Sequence, residues 1–246
     1  MLTRTEGIVL RTAVFGEADL IVTYLSRDHG VIKAFAKSPR KIKSRFGSSL
    51  EPLTYSRIAV LGREDAQLPR LTQSDILRPF QALREDYATL VKIMQLVELN
   101  LRFLPEREPN ADAFRLLMQM LGKLEEGGSR ELYHLYYKYR FLQIAGYLPG
   151  LEICGRCGSV SGDRAVHHFY LAHGSILCEH CAHDGEEKRP VSAGALRFFQ
   201  GMQKWRFATI DRVTVPEPLV GELGRLLDAH ITYVLARPLR SSAFRQ

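Results

Sequence analysis

Two pairs of cysteines carry the most definite chemistry in this chain: Cys154-Gly-Arg-Cys157 and Cys178-Glu-His-Cys181, one C-x2-C, twenty residues, then a second C-x2-C. Two residues between thiols let a single tight turn aim both sulfurs at one tetrahedral ion. Gly155 and Gly158 ease the backbone where it must turn. Four thiolates fill the shell of a structural Zn2+ and leave no open position for water. The expected ligands are Cys154, Cys157, Cys178 and Cys181, with one ion per chain. Five histidines lie near this segment, His167, His168, His173, His180 and His183, and His180 is the nearest replacement for a cysteine. The all-cysteine set is the simpler reading, with the histidines as polar surface residues of a loop finger. A catalytic zinc needs His or carboxylate ligands and a free position, and no HExxH or HxE with PCxxC is present.

The second constellation is residues 31–50, VIKAFAKSPRKIKSRFGSSL, which hold six cations (Lys33, Lys37, Arg40, Lys41, Lys43, Arg45) and no acid. Its first half alternates as a strand does, with Ile32, Ala34 and Ala36 on one face and Lys33, Phe35 and Lys37 on the other. The second face carries a flat ring between two ammonium groups. A single nucleic-acid strand asks for that chemistry: a ring to stack a base, and cations for the neighbouring phosphates. Residues 38–49 contain Pro, Gly and four serines and read as a mobile loop. The alternative is a solvated basic hairpin. The position of the charge favours function: residues 1–50 hold nine Lys/Arg against four Asp/Glu, so most of the chain's formal +7 lies in its first fifth.

Composition narrows the class. A hydrophobic share of 46% with 25% charged residues suits a globular protein with a real core. A pI near 9.3 favours polyanionic partners. The opening MLTRTEGIVLRT places acid and base too early for a secretory signal. No apolar run is long enough for a transmembrane helix, so no membrane role is expected. A cytoplasmic, nucleoid-associated location follows, in which cysteines serve as thiols or metal ligands rather than disulfides. There is no GxxxxGK[ST], GxGxxG or GxSxG, and no paired acids in a catalytic arrangement, so no enzyme activity is expected.

The elements that must position these residues are readable from pattern. Residues 7–12, 20–26, 31–36, 53–61 and 68–77 read as five short strands, with turns at 16–19 and 28–30. Five strands in so short a stretch suggest a closed barrel, which removes exposed edges. The oligonucleotide-binding (OB) fold is the expected choice, and an SH3-like barrel is the alternative. At Pro79 the period changes. Apolar residues at three-four spacing predict helices over 80–104, 111–126 (capped by Asn110), 130–145 (capped by Ser129), 192–205 and 217–236. The third of these carries Tyr133, Tyr136, Tyr137, Tyr139 and Phe141, read as a core stripe, with a stacking surface as the alternative. The expected organisation is α+β and multidomain: an OB-fold domain over 1–78, an α-helical domain over 79–147 and 191–246, and a zinc-finger insert over 148–190 too small for its own core.

The order of parts also resembles a known family. The opening TEGIVLRT, the FGEAD turn, the KSPRK and SRFGSSLEP runs, the helical body and the CxxC…CxxC insert resemble the bacterial recombination mediator RecO over nearly the whole chain. The resemblance implies an OB fold on a helical domain carrying a zinc insert. It implies binding of single- and double-stranded DNA, annealing of complementary strands, and partnership with RecR and single-stranded-DNA-binding protein. With RecR and RecF, such a protein helps RecA load onto coated strands. The family's basic barrel surface falls here on Lys33, Lys37, Arg40, Lys41, Lys43 and Arg45, with Phe35 among them, and its zinc ligands on the four cysteines. The runner-up is a zinc-ribbon accessory factor that grips RNA or protein without annealing strands. A third reading, a metal-dependent nuclease, predicts DNA degradation with added Mg2+ or Mn2+.

Overall fold

A computed structural model describes residues 1–39, 44–63, 66–127, 131–159, 166–183 and 185–241. Three of the sequence-predicted nucleic-acid residues, Arg40, Lys41 and Lys43, and the predicted cap Ser129, lie outside the described residues. The chain divides into two compact units, Met1–Gly127 and Gly128–Gln246. No described helix is long and apolar enough to cross a membrane.

The first unit begins with one long strand, β1 (Leu2–Phe15), which serves two neighbours. Its first half pairs with β4 (Tyr55–Leu61) and its second with β2 (Asp19–Ser26). A register shift between Val9 and Arg11 bends β1, as a bulge does. β3 (Gly30–Ala36) follows β2 as a hairpin, and β5 (Arg70–Arg78) pairs antiparallel with β4. A parallel contact at Phe35↔Arg70 joins β3 to β5 and closes the barrel in the order β1-β2-β3-β5-β4. Period-two alternation sends Val22, Tyr24, Ile32, Ala34, Ala36, Ile58, Val60 and Leu71 inward.

The end of the basic segment, from Ser44 onward, is anchored more firmly than its composition suggests. Residues 38–49 read as a mobile loop, yet Gly47–Leu50 forms a 3-10 turn, and Phe46 and Leu50 sit in the barrel core. Gly47, Ser48 and Ser49 between them, with Arg45 and Glu51 outside, conceal these two apolar anchors. Beyond the barrel, the expected helix over 80–104 is two: α1 (Ala82–Glu85) and α2 (Tyr87–Phe103). Asp86 stays extended between them and its carboxylate accepts from the Thr89 N–H at 3.1 Å. A carboxylate used as an N-cap satisfies a helix-end donor that in a continuous helix would bond a carbonyl of the preceding turn. α3 (Ala111–Glu125) starts at its Asn110 cap, 2.9 Å from the Ala113 N–H, and is closed by Gly127 in the left-handed region.

The second unit is built on α4 (Glu131–Ala145), α5 (Ala193–Met202) and α6 (Glu217–Val234). All five aromatic residues of α4 are buried, so the stacking-surface alternative is overturned and the core reading stands. Tyr139 meets Phe199 edge-on at 4.9 Å, and the Tyr136 hydroxyl donates to the Trp205 carbonyl at 2.8 Å. A helix buried on all sides shows little one-sided periodicity. Lys138, also buried, is ion-paired with Asp228 of α6. Between α4 and α5 the chain forms β6 (Val166–Tyr170), β7 (Ser175–Ile176) and β8 (Lys188–Ser192), an antiparallel sheet in the order β7-β6-β8. The sequence reading expects a loop finger there. Strands of two to five residues, one containing His167 and His168, are too short and too polar for a period to show.

Candidate functional site

The cysteine knuckles are shaped by backbone hydrogen bonds before any ion is considered. The Gly158 N–H donates to the Cys154 carbonyl at 2.9 Å and closes the first turn, with Gly158 in the left-handed region. The Cys181 and Ala182 N–H groups donate to the Cys178 carbonyl at 3.0 and 2.9 Å and close the second. The Gly155 N–H reaches the Ile176 carbonyl at 3.0 Å, which fixes the first turn to β7. A Cβ on Gly155 would stand 2.0 Å from Ser175 Oγ and 2.8 Å from Ser175 Cβ, so even with the hydroxyl turned away a side chain here forces β7 to shift.

These turns bring the four Sγ atoms of Cys154, Cys157, Cys178 and Cys181 within 4.8 Å of one another. Cys157 and Cys178, from different knuckles, stand 3.7 Å apart. Sulfurs about 2.3 Å from a tetrahedral centre are separated by about 3.8 Å, so the spacing fits an ion of zinc's size. Cys154 is buried and Cys157 exposed. Among the described residues no histidine belongs to this group. His173 instead faces Glu186 at 3.1 Å.

The electrostatics of the donor set agree with the geometry. Burial opposes ionisation of Cys154, but N–H groups of Cys157, Cys178 and Arg156 overcome it and hold the thiol at about 6. Cys181 is pushed up to about 12, first by its hydrogen bonds with Cys178 and Cys157. Sulfurs this close share protons because like charges cannot all develop together. A divalent cation held by these sulfurs would supply the missing counter-charge and release those protons.

On the barrel, register places two of the sequence-predicted residues, Lys33 and Phe35, on the outer face. Arg11, Thr23 and Lys33 lie opposite one another across β1, β2 and β3. The next outward row is Ala13, Ile21, Phe35 and Arg70. Phe35 is half-buried, and its ring meets Phe15 edge-on, with centroids 5.8 Å apart and an interplanar angle of 86°. Phe15 is 51% exposed. Lys37, two residues beyond Phe35, and Arg70, opposite Phe35 on β5, are exposed. Two of the predicted cations have other contacts. Lys33 is ion-paired with Glu106, and Arg45 lies over the Phe46 ring at 4.9 Å and reaches the Leu71 carbonyl at 3.4 Å. Phe15, Arg11 and Arg70 were not singled out from sequence. Strand register is the signal that finds them.

Barrel and four-thiol centre define the class: a protein with a small closed β-barrel in its first unit and a helical second unit that carries a four-thiol cluster. The chain belongs to the RecO family: the family models for the N-terminal and C-terminal parts of Recombination protein O match residues 1–80 and 84–243. A DNA repair protein RecO from Thermodesulfovibrio yellowstonii is 41% identical over 94% of this chain and 92% of its own length. Proteins of the same name from Geobacter sulfurreducens and Myxococcus xanthus are 36% and 32% identical, over 98% and 97% of this chain and 96% and 95% of their own lengths.

Proposed function

We propose that this chain is a non-catalytic recombination mediator in DNA repair. It binds single- and double-stranded DNA through an OB-type barrel (residues 1–78) and anneals complementary strands. Its helical domain (79–147 and 191–246) carries a zinc finger (148–190). With RecR and RecF it helps RecA load on strands coated by single-stranded-DNA-binding protein. The observation that carries the reading is the Phe15–Phe35 pair on the barrel face, Phe15 exposed and Phe35 half-buried, with Arg70 opposite Phe35 in the register and Lys37 two residues beyond it. Family membership and the naming of its relatives as DNA repair proteins support it.

Phosphates of two strands, held on this cationic face, lose part of the repulsion that keeps complementary strands apart. Base pairing then supplies the specificity, so the protein needs no base-edge contacts. Aromatic rings hold unpaired bases by stacking, which is indifferent to sequence. Cys154, Cys157, Cys178 and Cys181 would hold Zn2+, and the ion's contribution is to cross-link a finger that has little core.

The test is DNA binding and strand annealing across a salt series. With five phosphate contacts, from Lys37, Arg40, Lys41, Lys43 and Arg70, while Lys33 remains on Glu106 and Arg45 on Phe46 and Leu71, log K falls against log salt with a slope of about −3.5. Release of Lys33 for a sixth contact gives about −4. Reversing Arg40 and Lys41 weakens binding to all sequences alike. A slope near zero overturns the electrostatic account, and DNA binding without annealing favours the accessory-factor reading.

A further inference from the structure

The two cysteine knuckles are joined by more than sulfur. Arg156 lies inside the first knuckle, between Cys154 and Cys157. One arm of its guanidinium donates to the carbonyl of Cys181 in the second knuckle. The other arm pairs with Glu186 Oε1 at 2.9 Å and lies 3.1 Å from His173 Nε2. His173 Nε2 is itself 3.1 Å from the same carboxylate oxygen. The side chains of Arg156, Glu186 and His173 are only 30, 24 and 26% exposed, so water competes with these bonds less than at an open surface. Glu186 is held ionised by its hydrogen bond from His173, helped by the charge of Arg156.

From this geometry we infer that Arg156 and Glu186 form a clasp that governs how slowly the four-thiol centre releases its ion. The inference rests on the metal reading of that centre and goes beyond it. An ion leaves such a site one sulfur at a time, and the second knuckle must swing away for the departure to complete. Arg156 ties the backbone of Cys181, a ligand, to the first knuckle. A detached Cys181 sulfur therefore stays close to the ion at high effective concentration, and recapture outruns escape. Glu186 fixes the guanidinium in the orientation that reaches the Cys181 carbonyl. Both are positioning residues, because neither offers an atom to the ion. The function requires a fork: a lysine ammonium is a point charge and cannot span the carbonyl and the carboxylate together.

The experiment loads the full-length chain with Zn2+, adds a large excess of a chelating colorimetric zinc indicator, and follows ion loss by the colour of the indicator complex. Outer-shell changes of this kind weaken metal binding by about 10- to 100-fold. Arg156→Ala, Arg156→Lys and Glu186→Gln should each speed release by about tenfold or more. The double variant Arg156→Ala/Glu186→Gln should release no faster than either single, because the two residues act as one device. Glu187→Gln, which removes a neighbouring acid paired with Arg189, should match the parent. Co2+-loaded variants should keep the parent's tetrahedral thiolate absorption, which separates a clasp from a damaged ligand shell. Release within twofold of the parent in Arg156→Ala and Glu186→Gln overturns the clasp. Should Arg156→Ala fail to fold, the Glu186→Gln rate decides alone. A parent chain that takes up no ion overturns the metal reading and the clasp with it, whereas normal uptake with unchanged release overturns the clasp only.

Discussion

Phe35 stands at the point where a barrel strand changes from structural to interactive. Its neighbours Ala34 and Ala36 fill the core, while its own ring turns outward against Phe15. An edge-to-face pair leaves part of each ring free, and stacking a base on such a ring contributes about 1–3 kcal/mol. Phe15→Ala and Phe35→Ala should each lower affinity for an oligo-dT strand by about 5- to 100-fold. The salt slope should stay the same, because no phosphate contact is lost. Fluorescence anisotropy at several salt concentrations measures both quantities, and a changed slope with unchanged affinity would contradict the assignment. Phe35 was legible in sequence because its neighbours alternate with it. Phe15 was not, because it lies on another strand and meets Phe35 only through the β1–β2–β3 register.

At the scale of elements, the hairpin from β2 to β3 turns at Gly30, whose φ is +65°. A Cβ at this position would stand 1.9 Å from the Glu108 carbonyl oxygen. The same wall is pinned by the Arg107 N–H, which donates to the Val31 carbonyl at 2.8 Å. Gly30→Ala thus meets two penalties, a left-handed backbone and a collision with main chain. The backbone penalty alone is about 1–3 kcal/mol, and the collision adds to it. Chemical denaturation should show a loss of at least about 2 kcal/mol, larger than for Gly16→Ala, which has a left-handed φ but open space around it. Equal losses at the two sites would mean that the 106–108 wall yields. A turn at residues 28–30 was readable from Asp-His-Gly. The Glu108 wall was not, since that contact spans nearly eighty residues of chain.

For the molecule as a whole, stability is divided between two units of different origin. The first is closed by a ladder of strand pairs around a continuous apolar core. The finger of the second has short strands, buries Phe169, Ile176 and Val191, and carries the four-thiol cluster. Removing a structural ion from a small finger abolishes the contribution that holds it together. Chelation, or Cys154→Ser, should therefore cost hydrogen-exchange protection in residues 166–192 while the barrel strands keep theirs. Loss of protection in β1–β5 on chelation would show that the ion also supports the first unit.

The chain's order of residues alone determined the things that depend on local chemistry and period. These are five strands before Pro79, helices after it, a four-thiol cluster with C-x2-C spacing, and a surplus of positive charge in the first fifth. Only tertiary structure decided which charges are already committed, as Lys33 is to Glu106, and which rings meet, as Phe15 and Phe35 do. It also joined Arg156 to the second knuckle. The physical reason is the same each time. Alternation and turn chemistry act between neighbours along the chain, whereas ion pairs, ring contacts and clasps form between residues that only closure of the fold brings within a few ångströms.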